Sequence, residues 1–523
     1  MAFRGALLAI VVVAGIVGDP PHGRTQGSGS SQQTPADPDT DDDGSGGGIV
    51  GALVAPTGPA ERKPWVRERF AAAQLTRPTL AAARVSYAVW DLSSGDQLVA
   101  RDPDAAMNLA SNAKLFTSIA ALGALGSGFR WRTSVYAEPP DATGVVQGDI
   151  YLRGRGDPLL SVASIEALAT EIAARGVRRV TGRLVIDASY FDTVVDPPKF
   201  DEQPTERAAF RAPVASLGVS RGAITVIVTP DPNGTASVRV EPNAGKYLRV
   251  TKQQVVTVVE GRSRLRLEVK PQRDHLAIEI TGQVRAGEGS WDLRRRVDDP
   301  ARLAAEVFRR ALAERGVTIA QRAFVSGPIP MTARAIAVHD SATLADVVRY
   351  MNKLSDNYVA ESVLKTLGAE RKTTTGPATW ADGTIAVQAQ LATLGLVPGS
   401  YRVDNGSGLY SATAVSANQL ITLLRAAHAD YRIGPDLVAS LPVGGLDGTL
   451  VRRWQGRPAG GRVRAKTGTL EKVVTLAGYV GVDSGRPLAF AILVNDVPPG
   501  QRPAARAMTD EMIDVLAVYL GAR

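Results

Sequence analysis

The chain has no cysteine among its 523 residues. Disulfides, thiol nucleophiles, iron–sulfur clusters and a lipidated N-terminal cysteine are thereby excluded together. Histidine is scarce as well: the four present are scattered and form no H-E-x-x-H pair, which leaves a zinc hydrolase without its ligand set. A Walker loop is missing, and Gly154-x-Gly156 lacks the third glycine of a dinucleotide-binding turn, so neither a metal nor a cofactor is expected. Basic charge is never gathered into a block. Lys plus Arg number 60 against 52 Asp plus Glu, but the basic residues are dispersed and not interleaved with aromatics, which argues against a nucleic-acid partner. The net +8 suits an anionic envelope as well as it suits a soluble surface with no charge-selected partner.

Long apolar runs are also missing, apart from Gly5 to Val17 behind Arg4. That run is short for a membrane span and has the form of a secretory signal core, so export to the cell envelope, periplasmic or extracellular, is expected, with N-terminal membrane association as the alternative if residues 1–18 stay attached. Residues 19–62 are rich in Gly, Ser, Pro and Asp. They bury too little apolar surface to offset their ordering entropy and read as a flexible tether, with folded structure expected from about Pro64.

What remains has ordinary globular composition, 44% hydrophobic and 21% charged, and is long enough for two to four cores. Strand-forming residues predict strands at 84–91 and 97–101 around the turn Ser93 to Asp96, a hairpin. Helical spacing predicts a helix from Ser111 to Leu122. Near the other terminus, strands at 476–482 and 488–494 flank a turn at Asp483 to Arg486, followed by an amphipathic helix from Ala505 to Leu520. First and last segments therefore read as one α+β domain, an antiparallel sheet flanked by helices, covering 63–132 and 340–523. Between them, 133–339 reads as one or two mainly β inserted domains, with a helix near 165–175, a strand at 183–187, several strands between Ala223 and Gly282, and a helix at 300–315 that Asp299 caps and Pro300 opens.

Three short motifs carry the chemistry: Ser111-Asn112-Ala113-Lys114, Ser355-Asp356-Asn357 and Lys466-Thr467-Gly468-Thr469. Each alone is weak; their order and predicted settings together are specific. Residues three apart share a helix face, so the Lys114 amine can reach the Ser111 hydroxyl. A serine needs a base, and a lysine becomes one when desolvation or a second cation, here Lys466, disfavours its ammonium form. The bland alternative makes Ser111 a helix cap and Lys114 a solvated face. Ser355 is expected in a short loop between a helix ending near Lys353 and one from Tyr358 to Leu367 that Gly368 stops, where its hydroxyl relays a proton and Asn357 binds a substrate peptide group. Asp356 reads as a local cap. A strand over 462–470 can pair with an extended peptide, with Lys466, Thr467 and Thr469 around a terminal carboxylate. The backbone N–H groups of Ser111 and Thr469 are the oxyanion-hole candidates.

These motifs resemble those of the serine penicillin-binding proteins and β-lactamases. With NLASNAKLFT at 108–117, RGRGDPLL at 153–160, MNKLSDNYVAE at 351–361, DNGSGLYS at 404–411, LPVGGLDGTL at 441–450 and AKTGTL at 465–470, the chain is similar to the D-alanyl-D-alanine carboxypeptidase and endopeptidase family, the class C low-molecular-mass penicillin-binding proteins. The 244 positions between Ser111 and Ser355 match that family, in which extra domains are inserted there. The resemblance implies a β-lactamase/transpeptidase-like catalytic domain with nested insertions, an acyl-serine route on peptidoglycan stem peptides and cross-links, and covalent inhibition by β-lactams. Asn405 and Tyr358 depart from its pattern.

Other readings fare worse. Ser220 fits a G-x-S-x-G elbow, but the strand-like AITVIVTP follows where that elbow requires a helix, and neither His275 nor His339 completes a triad. A β-lactamase needs a second base for fast deacylation; no E-x-x-x-N-like element lies between Asn357 and Lys466, and Glu361 is expected to face along its helix rather than into the site. A non-catalytic wall-binding protein of the same fold has no physical need for Ser111, Lys114, Ser355, Asn357 and Lys466 together.

Overall fold

The computed structural model describes residues 53–481 and 487–521. The signal core, most of the tether and the turn at 483–486 lie outside the described residues. A five-stranded antiparallel sheet runs in the order Val463–Leu470, Val473–Val480, Leu488–Asn495, Arg84–Asp91, Gln97–Arg101. The hairpin anticipated at 84–101 is present, its turn tied by the Asp91 carboxylate, which accepts from the Ser93 N–H at 2.8 Å. Strand Arg84–Asp91 pairs along its whole length with Leu488–Asn495, so the two ends of the chain close one sheet.

Strands Val473–Val480 and Leu488–Asn495 are buried throughout. Period-2 alternation divides their side chains between two cores. Phe490, Ile492 and Val494 face helices Pro59–Leu75 and Arg502–Gly521 together with Trp65, Phe70 and Met512. Ala489, Ala491 and Leu493 face the other layer, with Leu115, Phe116 and Ile119 of helix Ala113–Leu125. Small residues on that face let helix Ala417–Ala429 pack directly on the sheet. Burial of this many apolar side chains, each worth about 1.5–3 kcal/mol, is the main force holding the layers together.

Helix Pro59–Leu75 begins ahead of Pro64, and Trp65, Val66 and Phe70 bury its inner face. Helix Asn357–Arg371 also departs from expectation, running through Gly368 instead of stopping there. A methyl at Gly368 would lie 2.6 Å from the Gly383 nitrogen of helix Trp380–Ala392. That glycine therefore serves a close helix crossing, not a helix end.

Residues between Val135 and Ala337 supply a separate apolar cluster. It packs helices Val162–Ala174 and Pro300–Glu314 against a mixed sheet containing Ile150–Arg153 and Leu184–Asp187, and three three-stranded sheets lie in the same stretch. Asp299 caps the second helix, accepting from the Arg302 N–H at 2.9 Å.

Candidate active site

The segment before helix Ala113–Leu125 is held from both sides. Asn495 Oδ1 accepts from the Asn108 N–H at 2.7 Å, Thr413 Oγ1 accepts from the Leu109 N–H at 2.8 Å, and Asn112 Nδ2 donates to Thr475 Oγ1 at 2.7 Å. Ala110 takes a left-handed φ of 46°, which turns the chain sharply into a 3-10 step, Ala110–Asn112. Ser111 stands on that step as the residue entering the helix and makes no cap bond to it. Its hydroxyl instead meets Lys114 Nζ at 2.9 Å.

Lys114 has no exposed surface. Besides Ser111 it donates to Asn357 Oδ1 at 2.7 Å and to the Ser407 carbonyl at 3.2 Å. The solvated helix face is thereby ruled out. Ser407 belongs to the Asp404-to-Ser411 stretch, and Glu361 holds it: one carboxylate oxygen accepts from the Gly406 N–H and the other from the Ser407 N–H, both at 2.9 Å. Glu361 is thus turned inward beneath this loop, not along its helix as expected. The two N–H donors offset part of its desolvation, and burial still holds its pKa above the ordinary carboxylate value.

Ser355 ends helix Leu344–Leu354 in a left-handed conformation, φ 57°, and is fully buried. Asp356 caps the next helix, accepting from the Val359 N–H at 3.0 Å. Asn357 is the first residue of that helix, and its amide donates to the Phe210 carbonyl at 3.2 Å. Lys466 Nζ closes the group, 2.7 Å from Ser355 Oγ and 2.8 Å from the Thr467 carbonyl. Three remote stretches therefore converge, and of Ser111, Lys114, Ser355 and Lys466 only Ser111 keeps measurable exposure, 9%.

Strand Val463–Leu470 forms the edge of the sheet. The Ala465 N–H points outward, to the Pro442 carbonyl at 3.0 Å. Backbone direction repeats every two residues, so the N–H groups of Thr467 and Thr469 face the same outer edge. A methyl at Gly468 would lie 2.6 Å from the Leu109 carbonyl oxygen and 3.1 Å from the Ser111 nitrogen. The strand thus passes against the turn that carries Ser111, an approach only glycine permits.

Three contributors escaped the sequence reading: the Ser407 carbonyl, the Phe210 carbonyl and Thr449, whose hydroxyl is 2.9 Å from that of Thr467. Glycines around 406–408 and 444–448 were the available signal, since Gly408 and Gly448 both have left-handed φ. Ser220 lies outside this cluster and precedes strand Ala223–Pro230. His275 and His339 are engaged elsewhere, His275 2.8 Å from Asp274 and His339 3.8 Å from Asp157.

A model of the D-Ala-D-Ala carboxypeptidase 3 (S13) family matches residues 68–518. The D-alanyl-D-alanine carboxypeptidase of Actinomadura sp. is 36% identical over 465 residues, covering 86% of this chain and 84% of that protein. A D-alanyl-D-alanine carboxypeptidase DacB from Haemophilus influenzae is 26% identical over 75% of this chain and 81% of its own length. The crystal structure of penicillin binding protein 4 (dacB) from Haemophilus influenzae superposes with a TM-score of 0.69, at 22% identity, over 83% of this chain and 97% of that one. The same protein complexed with a β-lactam gives 0.65. The likeness extends the α+β description to the penicillin-binding, transpeptidase-like fold.

Proposed function

The chain belongs to the D-Ala-D-Ala carboxypeptidase 3 (S13) family of serine peptidases, and from that premise we propose that it hydrolyses D-alanyl-D-alanine ends and D-alanyl cross-links of peptidoglycan through an acyl enzyme on Ser111. The observation that carries this reading is the setting of Lys114. A neutral amine has two hydrogens and one lone pair; two carbonyl oxygens, of Asn357 and Ser407, accept the hydrogens. Lys114 Nζ also lies 2.9 Å from the Ser111 hydroxyl, within reach of its proton once the amine is neutral.

Ser111 Oγ then attacks the carbonyl of the penultimate D-alanine, and the Ser111 and Thr469 N–H groups receive the developing oxyanion. Lys466 is only a donor, so Ser355 Oγ is the acceptor in their bond. The Ser355 hydrogen is delivered to the leaving nitrogen and is replaced by the proton Lys114 accepted. The C–N bond breaks, D-alanine departs as the amine, and water later hydrolyses the ester. The second amide hydrogen of Asn357 binds a substrate peptide group. Lys466, Thr467 and Thr469 hold the terminal carboxylate, and the outer edge of Val463–Leu470 pairs with the extended stem peptide.

β-Lactams acylate the same serine. Glu361 is occupied by the Gly406 and Ser407 N–H groups, which disfavours its use as a second base and accords with slow deacylation. Stretch 133–339 is read as an insertion between 63–132 and 340–523, on the strength of its separate apolar cluster. An enzyme acting on peptidoglycan works in the cell envelope, so export is part of the proposal, as is N-terminal membrane association if residues 1–18 are retained.

Incubation with purified muropeptides and mass analysis of products tests the reading. Loss of one D-alanine from pentapeptides, and opening of D-alanyl cross-links, is expected. D-Alanine release by Ser111→Ala at the parent rate would overturn it.

A further inference from the structure

Residues 218–222 of the inserted stretch contain an unusual turn. Ser220, Arg221 and Gly222 have φ of 53°, 56° and 63°, three consecutive left-handed residues of which only the last is glycine. Left-handed conformations crowd the Cβ of an L-residue against the carbonyl that follows, so the arrangement persists only where its surroundings hold it. Arg294 braces the turn by donating to the Ser220 carbonyl at 3.4 Å. The result of the turn is a direction: it brings the Arg221 guanidinium to 3.2 Å from Asp356 and sets it over the Tyr350 ring, 5.5 Å from its centroid.

Asp356 is the middle residue of the Ser355-Asp356-Asn357 loop. One carboxylate oxygen caps the following helix and the other pairs with Arg221. The next two residues also meet the insert: Asn357 donates to the Phe210 carbonyl, and the Tyr358 hydroxyl rests in a notch that a side chain on Gly218 would fill. Three successive residues, Asp356 to Tyr358, are thus gripped by one stretch of the insert. On their other side, Ser355 meets Lys466 and Asn357 meets Lys114.

We propose that Arg221 is a positioning residue for acyl transfer, and that this part of the insert is the clamp that holds Ser355 and Asn357 in register with the two lysines. The inference rests on the acyl-serine reading given above. An ordinary half-buried ion pair would contribute to stability and leave the chemistry untouched. A clamp has another signature, because removing either partner releases the same loop and the losses do not multiply.

The experiment compares the full-length parent with Arg221→Gly, Arg221→Lys, Asp356→Asn and the double variant Arg221→Gly/Asp356→Asn. Glycine takes the left-handed φ without strain, so the turn survives while the guanidinium is lost. Second-order acylation by benzylpenicillin is measured with the thermal midpoint, and kcat and KM with a D-Ala-D-Ala peptide. Arg221→Gly is expected to slow acylation and kcat by about tenfold with KM changed by less than about twofold, Arg221→Lys to recover part of the loss, and the double variant to match the slower single variant within about twofold. Acylation within twofold of the parent in Arg221→Gly, or a double-variant loss equal to the product of the single losses, would overturn the clamp. A parent that benzylpenicillin fails to acylate would instead remove the underlying reading, so the two failures are distinguishable.

Discussion

Asp157 offers a perturbation whose size follows from the structure. It stands in the loop between strand Ile150–Arg153 and helix Val162–Ala174, 5% exposed, its carboxylate accepting from the Leu159 N–H at 3.0 Å. His339 comes within 3.8 Å but is itself kept below its usual pKa by burial, so near neutrality it brings no charge to compensate. Burial pushes the Asp157 pKa up from 3.8 to about 6. A folded-state pKa above the unfolded one means that the folded protein holds the proton more tightly. The associated stability is fully present below about pH 4 and is lost as pH rises through about 6. The rise from 3.8 to about 6 corresponds to about 3 kcal/mol, the loss expected across that window. Asp157→Asn keeps the shape and removes the titration. Urea denaturation of both proteins at half-unit steps from pH 4 to 7 should give a gap that widens with pH in favour of the variant, by up to about 3 kcal/mol at pH 7. Parallel curves would refute the assignment of a buried, proton-retaining carboxylate.

Three further outcomes are specific. Gly468→Ala should push the edge strand off the Ser111 turn, cost about 1–3 kcal/mol of stability, and slow acylation by benzylpenicillin more than it shifts the melting point. Thr449→Val removes the hydroxyl beside Thr467 and should raise KM for peptides with a free terminal carboxylate by about tenfold while leaving carboxylate-free esters unchanged, as steady-state kinetics on the two substrate types would record. Lys365 pairs with Asp192 at 2.6 Å and stands 4.6 Å from the Trp380 ring centroid, fastening the segment around Asp192 to helix Asn357–Arg371. Lys365→Met should destabilise the protein by about 1–3 kcal/mol in urea unfolding, and Asp192→Asn in the same background should recover part of that loss.

Much of the catalytic body was legible in the sequence because its signals are local. Strands Arg84–Asp91 and Gln97–Arg101 announce themselves by strand-forming residues on either side of a Ser-Ser-Gly-Asp turn, and the caps at Asp299 and Asp356 by residue type. The three motifs were legible because each needs particular side chains at short spacing, although Ser111 and Asn357 are 246 positions apart. Backbone groups were not legible: nothing in the identity of Ser407 or Phe210 says that its carbonyl will receive a lysine or an asparagine, since that depends on how distant elements pack. Glu361 was misdirected for the same reason. Its helix position gives two faces to choose between, and the loop at 405–408 that makes one of them its partner lies 45 residues downstream. Gly368 read as a stop because glycine ends helices more often than it lets them cross, and the deciding residue, Gly383, belongs to another helix. Arg221 was invisible because a left-handed turn at Ser-Arg-Gly has no compositional mark before its last residue.

The central claim is that one hydroxyl, on Ser111, is made nucleophilic by a buried amine. Intact-mass spectrometry after benzylpenicillin treatment, with peptide mapping of the product, tests it most directly. One penicilloyl group per chain, located on the peptide containing Ser111 and absent from Ser111→Ala and from Lys114→Met, is the predicted result. An unmodified parent, or a penicilloyl group carried by another serine such as Ser220, would contradict it.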